Sequence, residues 1–223
     1  MGFLTRLLAR LRAFQRIELT GANAGVQFSS RVEFRTEPSS KIKVSSGTLT
    51  VGYPLEDGKT FATADRTVIT LGVNSTLRVE GDVIIAPGAT IRIENGAEVT
   101  FSGRNVFAHN LTIICKKKIC FAEGAEVSWN VTFIDDDGHT MENASGRAIR
   151  AFYKPMLIGA NVGIQMNTLF PRGVTIGENS IIASGTTVRK DVPANCLAMS
   201  DANLKIKAGI RTTTKKIPGS REA

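Results

Sequence analysis

The sequence predicts an all-β fold of one kind, a single chain wound into a parallel β-helix, and three observations predict it. The first is a beat of six. Ile158, Ile164, Phe170, Ile176, Ile182 and Val188 recur at every sixth position, and the residues four further on are Val162, Thr168, Val174, Ser180, Thr186 and Val192. In a chain that is 42% apolar, six apolar residues in one register arise by chance at about 0.42 to the sixth power, roughly half a per cent. Secondly, six is neither the 3.6 of a helix nor the 2 of a flat strand, and it runs on without Asn-Gly hairpin signals to reverse the chain. Thirdly, corner phrases repeat: GATI at 88–91, GAEV at 96–99 and again at 124–127, GVTI at 173–176, GTTV at 185–188. Three sides close a coil of about 18 residues, which stacks Ile158 over Ile176, Ile164 over Ile182 and Phe170 over Val188. Gly159, Gly173, Gly177 and Gly185 then fall near corners, where a residue without Cβ adopts positive φ at little cost.

Taken in order, the chain opens with FLTRLLARLRAFQR, residues 3–16, which sets Leu4, Leu7, Leu8, Leu11 and Phe14 on one helical face and its arginines largely elsewhere. This predicts a basic amphipathic helix over 1–16, lying on an anionic membrane surface or packed over the open end of the β-helix. Arginines interrupt its apolar run and no small-residue cleavage site follows, so it does not read as a signal peptide. The β-helix is expected over 17–207, less regular before Lys118, where uneven spacing of the phrases predicts insertions or bulges. Lys116, Lys117 and Lys118 read as a solvated corner.

Regular sixes return at Phe121, Val127 and Phe133, with Ala125 and Val131 at the accompanying positions. The next inward slot is His139. An imidazole there would leave polar nitrogens unpaired in an aliphatic stack, at a cost of about 1–3 kcal/mol. Asp135, Asp136, Asp137 and Gly138 precede it and cannot continue a buried strand. The coil must therefore break, and residues 135–155 leave it as a loop of the kind that carries function on a rigid scaffold. Residues 208–223 form a basic tail.

Composition narrows the company the chain keeps. Lys and Arg exceed Asp and Glu by eight, which favours acidic glycans, anionic lipid or a phosphate-bearing cofactor. Few aromatics and no nucleic-acid signature put nucleic acid last. Three scattered cysteines, Cys115, Cys120 and Cys196, in a chain without a secretory signal suit a reducing cytoplasm, at most with peripheral contact at the inner face of the membrane. No run of about 18 apolar residues is present to span a bilayer.

The loop offers acid–base chemistry. A histidine with an unperturbed pKa near 6.5 can take a proton at neutral pH, and Asp135 or Asp137 can fix its tautomer and steady the imidazolium. A solvated loop histidine among acids, or a cation site, would use the same residues. The only other histidine, His109, reads as a coil residue near a corner. No G-x-S-x-G elbow and no cysteine tied to a histidine points to covalent catalysis, so direct attack by a deprotonated substrate hydroxyl suits the sequence better.

SWNVTFIDDDGH (128–139) followed by IGANVGIQMNTLFPRGVTIGENSIIASGTTVRKDVP (158–193) resembles the hexapeptide-repeat acyltransferases, in the branch that O-acetylates bacterial capsule, O-antigen and related sugars. The likeness covers about 125–207. It implies a left-handed coil, a homotrimer, and acetyl-CoA as donor in the groove between subunits, with a carbohydrate acceptor and no metal. It makes His139 the general base, with Asp135 or Asp137 as its orienting carboxylate, and Trp129 a wall for the acceptor sugar. It sets Ala183, Ser184 and Gly185 against the pantetheine arm and Arg189, Lys190 and Lys205 against the phosphates. Three departures stand out: Gly163 where the family commonly has Trp, Gln165 in place of a glycine, and Met199 to Ala202 in place of Gly-Asn-Pro-Ala. N-acetylation of an amino sugar is the neighbouring alternative, and a filament-forming solenoid of the bactofilin type the non-enzymatic one.

Overall fold

A computed structural model describes residues 11, 13–55, 65–136, 143–145, 154–171 and 173–200. Among these residues twenty-one short strands wind into a three-faced parallel β-helix, and each pairs with one a coil below or above it. The first face stacks seven strands from Ile17–Leu19 to Thr175–Ile176, the second eight from Gly25–Phe28 to Leu197–Ala198, and the third six from Val32–Thr36 to Leu169–Phe170. The beat of six is the geometry of one face. Alternation along a strand sends one side chain inward, and the corner that follows resets the direction for the next face.

The inward slots are those the sequence marks. Phe121, Phe133, Ile158, Ile164, Phe170, Ile176 and Ile182 are all buried, and Ile158 pairs with Ile176 and Ile164 with Ile182. Thr168 and Ser180, among the residues four further on, are buried too, and their hydroxyls are satisfied at corners. Thr168 Oγ1 donates to the Gln165 carbonyl at 2.7 Å and Ser180 Oγ to the Pro193 carbonyl at 2.8 Å. A column of phenylalanines fills the middle of the prism: Phe101, Phe107 and Phe121 lie with ring centroids 5.1 Å apart, Phe133 follows Phe121 at 5.0 Å, and Phe170 stacks on Phe133 at 4.7 Å.

The coil is not of constant length. Leu77 pairs with Val99, Val99 with Ile119, Leu157 with Thr175, and Ile181 with Leu197, so the stretch of chain between stacked partners shortens up the prism. The irregularity expected before Lys118 takes the form of longer coils, a register shift between Val44 and Ser46, and an insertion between strands Thr48–Val51 and Thr67–Leu71.

One expectation needs correction. Of the four glycines placed at corners for their positive φ, only Gly185 has it, at 72°. Gly159 must lack a Cβ because one would stand 2.6 Å from the Glu178 amide nitrogen, and at Gly173 and Gly177 it would run into the backbone of Lys154 and Ala194. Along two edges, left-handed corners belong to asparagine, whose short amide tolerates that conformation. Asn110, Asn130 and Asn167 line up at φ 60°, 57° and 57° on the edge between the second and third faces, and Asn161, Asn179 and Asn195 at 53°, 55° and 58° on the edge between the first and second. Their side chains run as ladders from coil to coil, Asn110 Nδ2 donating to Asn130 Oδ1 and Asn130 Nδ2 to Asn167 Oδ1, both at 3.0 Å.

The amphipathic helix expected over 1–16 falls mostly on residues 1–10 and 12, which lie outside the described residues; Leu11, Ala13 and Phe14 are helical ahead of the first strand. Ala13 is buried and the Phe14 ring meets Phe28 edge-on at 6.1 Å, so these residues pack on the end of the coil. Among the described residues no helix is long and apolar enough to cross a membrane.

Candidate active site

Asp135 and Asp136, expected to open the loop, are instead buried at the edge of the coil, and the described chain resumes its winding at Lys154. Strand Thr132–Ile134 closes a third face, and the next strand, Met156–Ile158, opens the first face of the coil above. Ile119 and Met156, the partners that stack across this break, lie about twice as far apart along the chain as Leu157 and Thr175, the partners one coil higher. The excursion thus leaves from the edge between the third and first faces. Asp137 and His139 lie outside the described residues, as does Lys205; what is described is the neck.

Asp135 is completely buried there. Its Oδ1 accepts the Lys116 N–H at 2.7 Å, and its Oδ2 accepts those of Lys117 and Lys118, each at 2.8 Å. The Cys115 thiol donates to Oδ2 at 3.5 Å. Burial, reinforced by the neighbouring carboxylate, pushes that thiol far above its ordinary range and leaves it inert. The Asp135 carbonyl accepts the Lys154 N–H at 3.1 Å, so the chain returns to the coil at the residue where it left. Two ion pairs flank the neck: Lys116 Nζ lies 2.6 Å from Asp136, and Lys154 Nζ 3.3 Å from Asp191. The Thr175 N–H and then Lys154 hold the Asp191 carboxyl below the usual carboxylate range.

The residues assigned to the donor fall on two different edges. Ala183, Ser184 and Gly185 turn the corner between the second and third faces, where Trp129 stands half-buried two coils lower. That column is continuous through the backbone, the Asn167 N–H donating to the Trp129 carbonyl and the Gly185 N–H to that of Met166, both at 2.9 Å. Arg189 and Lys190 instead sit exposed between the bridges at Thr187 and Val192, on the edge from which the excursion departs. The width of the third face separates the two groups.

Two of the departures from the family pattern, Gln165 and Gly163, have structural consequences. Gln165 Oε1 accepts both the N–H and the Oγ–H of Ser184, at 3.1 and 3.2 Å, so a ligand that uses this N–H must first displace an amide. Gly163 is under no steric compulsion: a Cβ would meet only Ile181 Cγ1 at 3.9 Å. It opens a groove of about 470 Å³ on the second face, lined by Arg104, Val106, Glu126, Ser128 and Ile181 among others. On the same edge as Trp129, one coil lower, His109 is 6% exposed with Nε2 lacking any hydrogen bond, and burial holds its pKa below the ordinary value against an opposing pull from Asp65. No group of three or more metal-ligating side chains is present among the described residues.

A parallel β-helix whose widest spacing between consecutive described strands follows Thr132–Ile134, at an acidic run that leads in sequence to a histidine, defines the class: a solenoid scaffold with an excursion at one edge. Comparison with known proteins makes this particular. Residues 155–190 match the family described as bacterial transferase hexapeptide, six repeats. The galactoside O-acetyltransferase of Escherichia coli K12 is 30% identical over 176 residues, 78% of this chain and 81% of that one. A putative acetyltransferase of Saccharomyces cerevisiae, YJL218W, is 33% identical over 99 residues, 44% of this chain and 50% of its own length. Among solved structures, the polysialic-acid-specific acetyltransferase NeuO superposes with a TM-score of 0.46 at 18% identity, covering 91% of this chain and 86% of its own. This chain belongs to the hexapeptide-repeat acyltransferase family.

Proposed function

We propose that this protein is an O-acetyltransferase that moves an acetyl group from acetyl-CoA to a hydroxyl of a bacterial surface carbohydrate, with His139 as general base. The observation that carries the reading is the placement of the single long break in the upper coils directly after strand Thr132–Ile134, at Asp-Asp-Asp-Gly-His. The similarity to a galactoside O-acetyltransferase across four fifths of that relative supports the acceptor class.

Acetyl-CoA, when bound, supplies an activated carbonyl. His139 takes the acceptor hydroxyl's proton as the oxygen attacks and gives it to the departing CoA thiolate, which leaves as the thiol, so the imidazole ends as it began. Asp137 is the better orienting carboxylate, because both oxygens of Asp135 are engaged by backbone N–H groups. Ser184 and Gly185 meet the pantetheine arm, Arg189, Lys190 and Lys205 the phosphates, and Trp129 the sugar face. The same reading takes the coil as left-handed and the working unit as a homotrimer. A neighbour's edge would bring the Ser184 corner to the excursion, which one protomer holds apart by the width of its third face.

Surface glycan from cells with and without this protein, compared by mass spectrometry, should differ by one acetyl per modified sugar. His139→Ala should lower kcat by about 100- to 10,000-fold with the assembly intact. Unchanged turnover would refute the assigned base.

A further inference from the structure

We propose that Asp135 is a positioning residue, the clasp that closes the neck of the His139 loop and fixes where that loop starts. The proposal rests on the reading of His139 as the base, and it assigns Asp135 a different part from that of an orienting carboxylate. A fully buried carboxylate needs compensation at every lone pair. This one finds it in the Cys115 thiol, at 3.5 Å, and in three successive backbone N–H groups, at 2.7, 2.8 and 2.8 Å, which converge as in an anion-binding nest. With its carbonyl on the Lys154 N–H, a single residue ties together the corner at Lys116–Lys118, the end of strand Thr132–Ile134 and the returning chain.

The geometry selects aspartate over its amide. Each oxygen faces a donor, so the NH₂ of an asparagine would have to point at an N–H. It also makes a direct contact with His139 superfluous, since both oxygens are already occupied within the coil. The two ion pairs outside the neck, Lys116 with Asp136 and Lys154 with Asp191, are partly exposed and of small weight beside it. A base carried on a loop depends on its neck, because displacement of a reacting group by about 1 Å costs on the order of 100-fold in rate.

The test uses the full-length protein, acetyl-CoA, and glycan from cells lacking this protein as acceptor. Asp135→Asn should lower kcat by about 10- to 100-fold and leave KM for acetyl-CoA and the acid limb of the kcat/KM profile in place. Trypsin cleavage after Arg147 or Arg150, inside the loop, should accelerate by about tenfold as the neck opens. Wild-type kcat and cleavage rate in Asp135→Asn would overturn the clasp; a shifted acid limb would overturn it in favour of a direct His139 partner. Should that variant fail to fold, hydrogen exchange on the wild-type protein decides. The amides of residues 116, 117, 118 and 154 must be among the slowest of any corner, and fast exchange there sinks the proposal. If His139→Ala keeps full activity while Asp135→Asn still loosens the loop, the clasp stands and the assignment of the base fails.

Discussion

The coils below the excursion and those above it solve the same problem with different parts. Below, the longer strands Glu98–Ser102, Asn105–Phe107 and Thr112–Cys115 make wide coils around phenylalanine. Above, the minimal strands Leu169–Phe170, Thr175–Ile176 and Ile181–Ile182 make tighter coils around mostly aliphatic side chains. Fewer ladder bonds per face remain in the upper part, and the asparagine corners take over the burden of holding coil to coil. Buried polar groups differ as well. Among the described residues the upper coils bury only the hydroxyls of Thr168, Ser180 and Thr186, whereas the lower part also buries Glu33, Asn105, His109, Asp135 and Asp136. The upper part, where the Ser184 corner lies, thus presents short strands between tight corners, and the lower part supplies the bulk of the sheet.

If the junction is the hydrophobic keystone of both parts, Phe133→Ala should cost about 3–5 kcal/mol in chemical denaturation, because Phe133 packs on Phe121 below and Phe170 above. A loss below about 1 kcal/mol would mean that the two stacks are stabilised independently. Corner dependence of the upper coils predicts a smaller effect at Asn167. Asn167→Ala forces a Cβ-bearing residue without a compensating amide into left-handed backbone and removes a ladder rung, for about 1–2 kcal/mol, while Asn167→Gly loses only the rung and should cost less. Equal costs for the two would show that the amide contact, not the backbone conformation, sets the corner.

The smallest effect belongs to the lower part alone. His109 has its folded pKa depressed by burial, so the unfolded chain binds the proton more readily. The stability associated with the neutral ring is complete above the unfolded value near 6.5 and is lost as pH falls through the folded one. Thermal melts followed downward from neutral pH should therefore show a decline starting near 6.5 that His109→Phe removes; an unchanged decline would assign it to other groups. Glu33, held low by Arg35 and Arg66, adds a further loss only once pH falls below the ordinary carboxylate range.

What the sequence discloses, and what it conceals, follows from where each signal is written. Inward slots are legible because only an apolar or small side chain fits them, and the break is legible because Asp135 to His139 violate that rule at consecutive positions. The corners are harder. Asn161, Asn167 and Asn179 read as ordinary polar residues, since a left-handed φ leaves no mark except the tolerance of asparagine for it, while Gly159, Gly173 and Gly177 owe their identity to backbone a coil away. Edge assignment is legible only where the coil length is fixed: Ser184 and Lys190 lie six residues apart in the regular stretch, one face by the beat, whereas the wider lower coils need the pairing to place their corners. The side chains of Lys116, Lys117 and Lys118 are exposed, as a solvated corner implies, but their N–H groups, which any residue would offer, form the cradle for Asp135.

The closed neck has an evolutionary corollary. Because the chain departs and re-enters at one hydrogen bond between Asp135 and Lys154, the register of the strands on either side does not record how long the excursion is. Lengthening such a loop twofold adds only about 0.6 kcal/mol of closure entropy. Insertions, deletions or wholesale grafts at this point are thus nearly invisible to the prism, and the excursion can diversify while the scaffold beneath stays as it is.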